Sequence, residues 1–225
     1  MQRASKLFND ESRRRINAAI SAAESNTSAE IVPVVASASG RYDRAEDMAG
    51  LCLALLAMTA SWLLFQREDT STGSWAGPHL GLNFWQLLII AVLAFIVGAF
   101  AASHIHWLRR LFTTRAEMTA EINARAHQVF FDQRMHHTAG HGGVLLYVSL
   151  YERMAAVIGD DAVVEKLGKP VIEDLCKQFT AALRRGNIVE ALGGIIKTTG
   201  QTLAPVLPRQ SGDVNELPDA LVTVD

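Results

Sequence analysis

Hydrophobic positions recur along this chain with three different spacings, and each spacing predicts a different kind of element. After the polar start Asn9-Asp10-Glu11, residues Ile16, Ala19, Ile20 and Ala23 share one helical face, which predicts an amphipathic helix over 10–25. Asn26-Thr27-Ser28 interrupts it, and Glu30 to Ala36 reads as one β-strand. Pro33 lacks an N–H, so that strand needs a bulge or an edge position where no neighbour requires the missing donor. Two uncharged apolar runs come next, Met48 to Gln66 with 19 residues and Leu80 to Ser103 with 24. At ~1.5 Å rise per residue each can cross a hydrocarbon layer ~30 Å thick, so both read as transmembrane helices.

Beyond the second run the pattern returns to that of a folded α/β unit. Ala116 to Met135 carries Met118, Ile122, Ala126, Val129 and Phe130 at helical spacing. Gly143 to Leu150 is a continuous apolar strand, which implies burial on both faces. Tyr151-Glu152 predicts a tight turn into an antiparallel partner over 153–158, ending at Gly159-Asp160-Asp161. A helix then runs from about Ala162, broken near Pro170 and ending at Arg184-Arg185-Gly186. Asn187 with Glu190 opens a last helix to about Leu203, in which Gly193-Gly194 predicts close packing against the sheet.

A lone helix and strand cannot bury both their faces, so the segment before the first span must pair with residues beyond the second. The predicted organisation is one α/β domain in two pieces, residues 1–47 and 104–208, together 152 residues. The piece between them, 48–103, is a transmembrane hairpin, and 209–225 is a flexible acidic tail.

Composition fits this picture. The 225 residues are 49% hydrophobic, and the mean hydropathy of +0.15 is high for a soluble domain. With 16 glycines, 6 prolines and 2 cysteines, the chain is neither collagen-like, wholly disordered nor a disulfide scaffold. Charge is nearly balanced, 21 basic against 23 acidic residues, so no basic footprint for nucleic acid exists. Arg41, Arg44, Arg109, Arg110 and Arg115 flank the outer ends of the hairpin, whereas its connecting loop holds only Arg67, which predicts cytoplasmic termini. The polar N-terminal stretch predicts no cleaved signal peptide. Cys52 falls in a span and Cys176 on an apolar helix stripe, so no bridge between them is expected.

Candidate chemistry is sparse. Asp160 and Asp161 come directly after a buried strand, and with Glu152 or Glu30 they offer oxygens to a hard cation such as calcium; the competing reading makes Asp161 a helix cap at Ala162. Six histidines lie between His104 and His141, of which His136, His137 and His141 share one loop, without the fixed ligand spacing of a zinc site. Ser149 lacks the Gly-x-Ser-x-Gly elbow of a nucleophile, and Cys176 has the setting of an inert thiol. Gly140-His141-Gly142-Gly143 precedes a strand rather than a helix, the wrong context for phosphate or dinucleotide binding. Arg184-Arg185 completes a helix dipole.

The residues Thr27-Ser28-Ala29-Glu30-Ile31 entering a strand, Thr138 ahead of Gly143 to Leu150, the Glu152-Arg153 turn, Val157-Ile158-Gly159-Asp160, and the closing Leu203 to Pro208 together resemble the TPM-domain family, in its bacterial branch with two spans inserted after the first strand. The resemblance implies a small mixed sheet sandwiched by helices, and residence in a bacterial inner membrane. It also implies one of two roles. Some members are acid phosphatases and some bind calcium at acidic residues near strand ends, with Asp160 the position on the motif here; others are accessory proteins. The favoured expectation is a membrane-anchored accessory protein whose partners are the lipid bilayer and a membrane protein undergoing assembly, maintenance or quality control. A metal-assisted phosphomonoesterase using Asp160, Asp161 and Glu152 is the alternative. Self-association into a homo-oligomer is compatible with either.

Overall fold

Strands β1 (Ile31–Ala36) and β4 (Val144–Ser149) lie side by side and parallel, Ile31 opposite Val144 through Ala36 opposite Ser149, although both apolar runs separate them in sequence. The computed structural model describes residues 3–40, 42–67, 79–135, 142–209 and 220–225. It divides into two units, one made of Met1–Gly40 with Ala116–Asp225 and the other of Arg41–Arg115.

In the first unit a four-stranded mixed sheet has the order β5-β4-β1-β6, where β5 is Met154–Gly159 and β6 is Val222–Val224. β5 is antiparallel to β4, Ser149 facing Met154 and Val144 facing Gly159. The turn between them is longer than the sequence predicts, covering Leu150 to Arg153, with Arg153 at φ 53. β6 is a correction to the expected flexible tail: its three residues run parallel to β1 opposite Val34–Ala36. A short Val-Thr-Val segment is a weak strand signal alone, and it becomes a strand because β1 offers an open edge.

Backbone bonding explains how Pro33 sits inside a central strand. Glu30 and Ala36 direct their backbone groups to the β4 side, since Val144 N–H donates to Glu30 O and Leu150 N–H to Ala36 O. Alternate residues therefore face the β6 side, as Ser37 N–H does in donating to Val224 O. Pro33 belongs to that second set and lies ahead of the first β6 pair, so its missing N–H breaks no bond. Ile31 N–H, on the same side, donates instead to the Glu24 carboxylate at 2.8 Å.

Both faces of the sheet are covered. Ile31, Val35, Val144, Leu146 and Val148 form one core with α2 (Asp10–Glu24), α8 (Lys169–Arg184) and α9 (Ile188–Leu203), whose Ile16, Ile20, Phe179, Leu192 and Ile196 are buried against it. Val32, Val34, Leu145 and Tyr147 form the second core with Ile122, Ala126, Val129 and Phe130 of α6 (Arg115–Asp132). A short α1 (Ala4–Leu7) packs on β6. α7 (Asp161–Leu167) stops at Gly168, whose φ of 80 lets the chain turn so that Pro170 occupies the first turn of α8. The predicted tight packing of Gly193 and Gly194 does not occur, since a Cβ at either would meet nothing within 4 Å. The close approach in α9 is at Gly200, where a Cβ would fall 2.7 Å from Ala23 Cβ of α2.

The second unit holds α3 (Asp43–Leu64) and α4 (Phe84–His104), joined by a two-residue antiparallel pairing of β2 (Gln66–Arg67) with β3 (His79–Leu80). α3 begins five residues before the predicted span because its polar first turn, with Asp43 and Glu46, suits a helix N-terminus. Gly50 and Gly98 let the two helices touch: a Cβ on Gly98 would stand 2.9 Å from Gly50 Cα, and one on Gly50 2.8 Å from Phe95 O. α5 (His106–Leu111) starts after a break at the extended residue Ile105. Both long helices are long and apolar enough to cross a membrane, with mean hydropathies of 1.7 and 2.5 in their most apolar windows, of which only 22% and 6% is buried.

Candidate functional site

Polar side chains gather where β1 and β4 end. The chain leaves β1 through Ser37 and Ser39, and it leaves β4 through Ser149 into the turn that carries Glu152. Glu152 is only 2% exposed. One of its carboxylate oxygens accepts from Ser39 N–H at 2.9 Å, and the other accepts from the Ser149 hydroxyl. Tyr147, fully buried, places its hydroxyl 3.0 Å from Ser39 Oγ. Burial pushes the Tyr147 hydroxyl above its ordinary value of 10.0; the Ser39 hydrogen bond works against that shift, the Glu152 charge adds to it, and Arg125 opposes it.

The same end of the sheet receives Asp225. Its carboxylate accepts from Ser5 N–H at 3.1 Å, from the Ser5 hydroxyl, and from Ser37 Oγ at 2.9 Å. These hydrogen bonds, led by the Ser5 hydroxyl, hold the Asp225 carboxyl below its ordinary value. Ser37 Oγ in turn accepts from Ala4 N–H at 2.8 Å. The cluster is consumed in joining backbone segments: β1's exit, the β4–β5 turn, α1 and β6.

The three acids expected to share a cation are not brought together. Glu152 sits at the Ser149/Met154 end of the β4–β5 pair, whereas Asp160 comes after Gly159 at the Val144 end. A six-residue strand, roughly 17–20 Å, separates those ends. Asp160 rather than Asp161 is the cap of α7, its Oδ1 accepting from Asp161 N–H at 2.8 Å, and Asp161 is exposed as the first helical residue. Glu30 does lie near Asp160's end, its N–H donating to Gly142 O at 3.3 Å while Asp160 N–H donates to Gly143 O at 2.8 Å. Among the described residues no group of three or more His, Cys, Asp or Glu side chains is placed to hold a metal. The residues named for calcium therefore do not fit it as one ligand set.

The remaining candidates are scattered. His136, His137 and His141 lie outside the described residues. His104 closes α4 with Nδ1 3.0 Å from Phe100 O, and His127 is exposed on α6. Arg184 and Arg185 are exposed at the end of α8, with Gly186 at φ 117 just beyond. Cys176 Sγ donates to Ala155 O at 3.2 Å, and Ala155 N–H donates to Thr180 Oγ1 at 3.3 Å, so α8 occupies the outer edge of β5. Burial pushes the Cys176 thiol up, which keeps it protonated and unreactive. A groove of about 490 Å³ runs beside this edge, lined by Ile122, Met154, Ile172 and Cys176 among others, and it is chiefly apolar. Sequence reasoning named Glu152 as a cation ligand and set Ser149 aside as a nucleophile without joining the two, and it missed Ser39, Tyr147 and Asp225, because contacts between distant segments leave no local spacing to read.

Fold and site define a mixed α/β unit with helices on both faces, accompanied by two helices long and apolar enough to cross a membrane. The chain is similar in fold to the BA42 protein from the psychrophilic bacteria Bizionia argentinensis sp. nov., solved by NMR: TM-score 0.57 and 16% identity, covering 99% of this chain and 99% of that one. At that identity the likeness concerns the fold alone. No protein-family model and no curated protein matches the chain.

Proposed function

We propose that this chain is a membrane-anchored accessory protein whose α/β unit binds a membrane-protein partner during assembly, maintenance or quality control. The observation that carries the reading is the place of the apolar hairpin. It is inserted between β1 and β4, neighbours in the same sheet, so the sheet unit is leashed to the bilayer at both crossings by short connections. Such a leash confines the unit to the membrane surface, where it meets other membrane proteins. The cation count supports cytoplasmic termini, since Arg44, Arg109, Arg110 and Arg115 lie at the outer ends of the hairpin and Arg67 at its tip. The polar cluster at the strand ends supports an architectural role, because Glu152, Ser39, Tyr147 and Asp225 are engaged in holding that exit together.

Photo-crosslinking in native membranes tests this reading. A photoreactive residue at the exposed position of Lys169 should yield a discrete adduct with an integral membrane protein, reproducible across preparations. Absence of an adduct at Lys169 and at further exposed positions over the α/β unit would contradict the proposal.

A further inference from the structure

The sequence leaving α4 does not continue as a straight helix. Ile105 is extended, with φ -99 and ψ 96, and α5 starts again at His106 and packs against both α3 and α4. Because Gly50 of α3 meets Gly98 of α4, this end of the hairpin also carries the first turn of α3. α5 is thus set at the rim of the apolar helix pair, where a membrane-spanning hairpin meets headgroups.

The six residues of α5 divide cleanly by helical position. Trp107, Leu108 and Leu111 fall on one side, and positions 106, 109 and 110, a histidine and two arginines, on the other. The apolar side is not used up by the hairpin: Trp107 and Leu111 are each 70% exposed, and Ile105 is 40% exposed. Tryptophan and leucine on one face with arginine on the other is the composition of a helix that lies in a bilayer interface. Aromatic rings favour the headgroup level, and arginine favours phosphate.

We infer that α5 is an in-plane interfacial helix that seats Trp107 and Leu111 among lipid chains and uses Arg109 and Arg110 to select anionic phospholipid headgroups. The inference rests on the membrane reading and deepens it by naming the lipid class. α4, against which α5 packs, also leaves apolar side chains open, Val97 and Phe100 being 58% and 65% exposed, as helices immersed in one bilayer would. The paired cations give that medium a preferred charge.

The test uses the full-length protein in vesicles of phosphatidylcholine alone or with 30% phosphatidylglycerol. In a variant with Trp62, Trp75 and Trp85 replaced by phenylalanine, emission from Trp107 should be quenched by lipids brominated near the headgroup and shielded from aqueous iodide. In otherwise unaltered protein, native mass spectrometry should show phosphatidylglycerol retained over phosphatidylcholine, and R109Q/R110Q should reduce that retention by on the order of five-fold per arginine. Extraction by alkaline carbonate should be resisted equally by both forms, since α3 and α4 are untouched. Iodide-accessible Trp107, or retention unchanged in R109Q/R110Q, overturns the inference while leaving the hairpin in the membrane. A Trp107 shielded from both iodide and brominated lipid also overturns it, and points to a protein neighbour over α5. Carbonate stripping of the unaltered protein overturns the membrane reading itself.

Discussion

The Glu152 carboxylate reaches from the β4–β5 turn to the backbone N–H of Ser39, 2.9 Å away, and joins segments 113 residues apart in sequence. Because Glu152 also accepts from the Ser149 hydroxyl, removing it strands two donors. Glu152→Ala should destabilise the protein by about 2–4 kcal/mol, and Glu152→Gln by less, since the amide keeps one acceptor. Urea midpoints tracked by near-UV circular dichroism in detergent would measure this; an unchanged midpoint for the alanine variant would mean that the tie is dispensable.

Asp160 supports α7 as its cap, and its expected co-ligand Glu152 lies at the far end of the sheet. Asp160→Ala should therefore cost about 1 kcal/mol, the loss of one cap, by the same amount with and without calcium. A calcium-dependent rise in stability that vanishes in Asp160→Ala and Asp161→Ala would restore a cation site here and with it the phosphatase alternative.

Two glycines of α9 should respond in opposite directions. At Gly193 a methyl meets open space, so Gly193→Ala should stabilise by about 0.5–1 kcal/mol through lower chain entropy in the unfolded state. At Gly200 the same methyl would fall 2.7 Å from Ala23 Cβ, and Gly200→Ala should destabilise by about 1–3 kcal/mol as α2 is pushed away. Thermal unfolding of the two variants side by side checks the pair, and equal shifts would contradict the α2–α9 packing.

Asp225 supplies a pH signature. Its carboxyl is held below the ordinary value of 3.8 by bonds that favour the ionised form, so folding favours proton release. The attachment of β6 and α1 should be complete above that value and lost as pH falls through the lower folded value. Hydrogen exchange at Ser37 N–H, which donates to Val224 O, reports it. Asp225→Asn should speed that exchange at neutral pH, and indifference to the substitution would show that β6 docks without its carboxylate.

Legibility in the sequence tracks the range of the interactions concerned. β4 was legible because Val144 to Ser149 is a continuous apolar run, and β5 because a polar turn and a second apolar run come at once behind it. That β1 pairs with strands beyond the apolar runs was legible by burial alone, since Ile31 to Ala36 had no strand ahead of them to cover their faces. Pro33 warned of a bulge or an edge, yet the strand is regular and central; the proline is accommodated because β6 begins one residue further along. β6 itself escaped, as three residues of a polar tail carry too little pattern to stand out. The cap at Asp160 instead of Asp161 is a one-residue shift of the kind that helix starts permit. The polar cluster was not read as one: Glu152 and Ser149 are three apart but stood in separate readings, and Ser39, Tyr147 and Asp225 reach them only through the folded sheet.

A membrane hairpin that leaves and rejoins one sheet must do both on a single side of the bilayer. Cysteine labelling with a membrane-impermeant maleimide measures this, in intact cells making the full-length protein with Cys52 and Cys176 replaced by serine. Thr72→Cys, in the loop between the spans, should be labelled from outside, and Lys169→Cys at the exposed start of α8 should be labelled only after permeabilisation. Labelling of Lys169→Cys in intact cells would contradict the orientation, and labelling of both positions in intact cells would contradict the membrane hairpin itself.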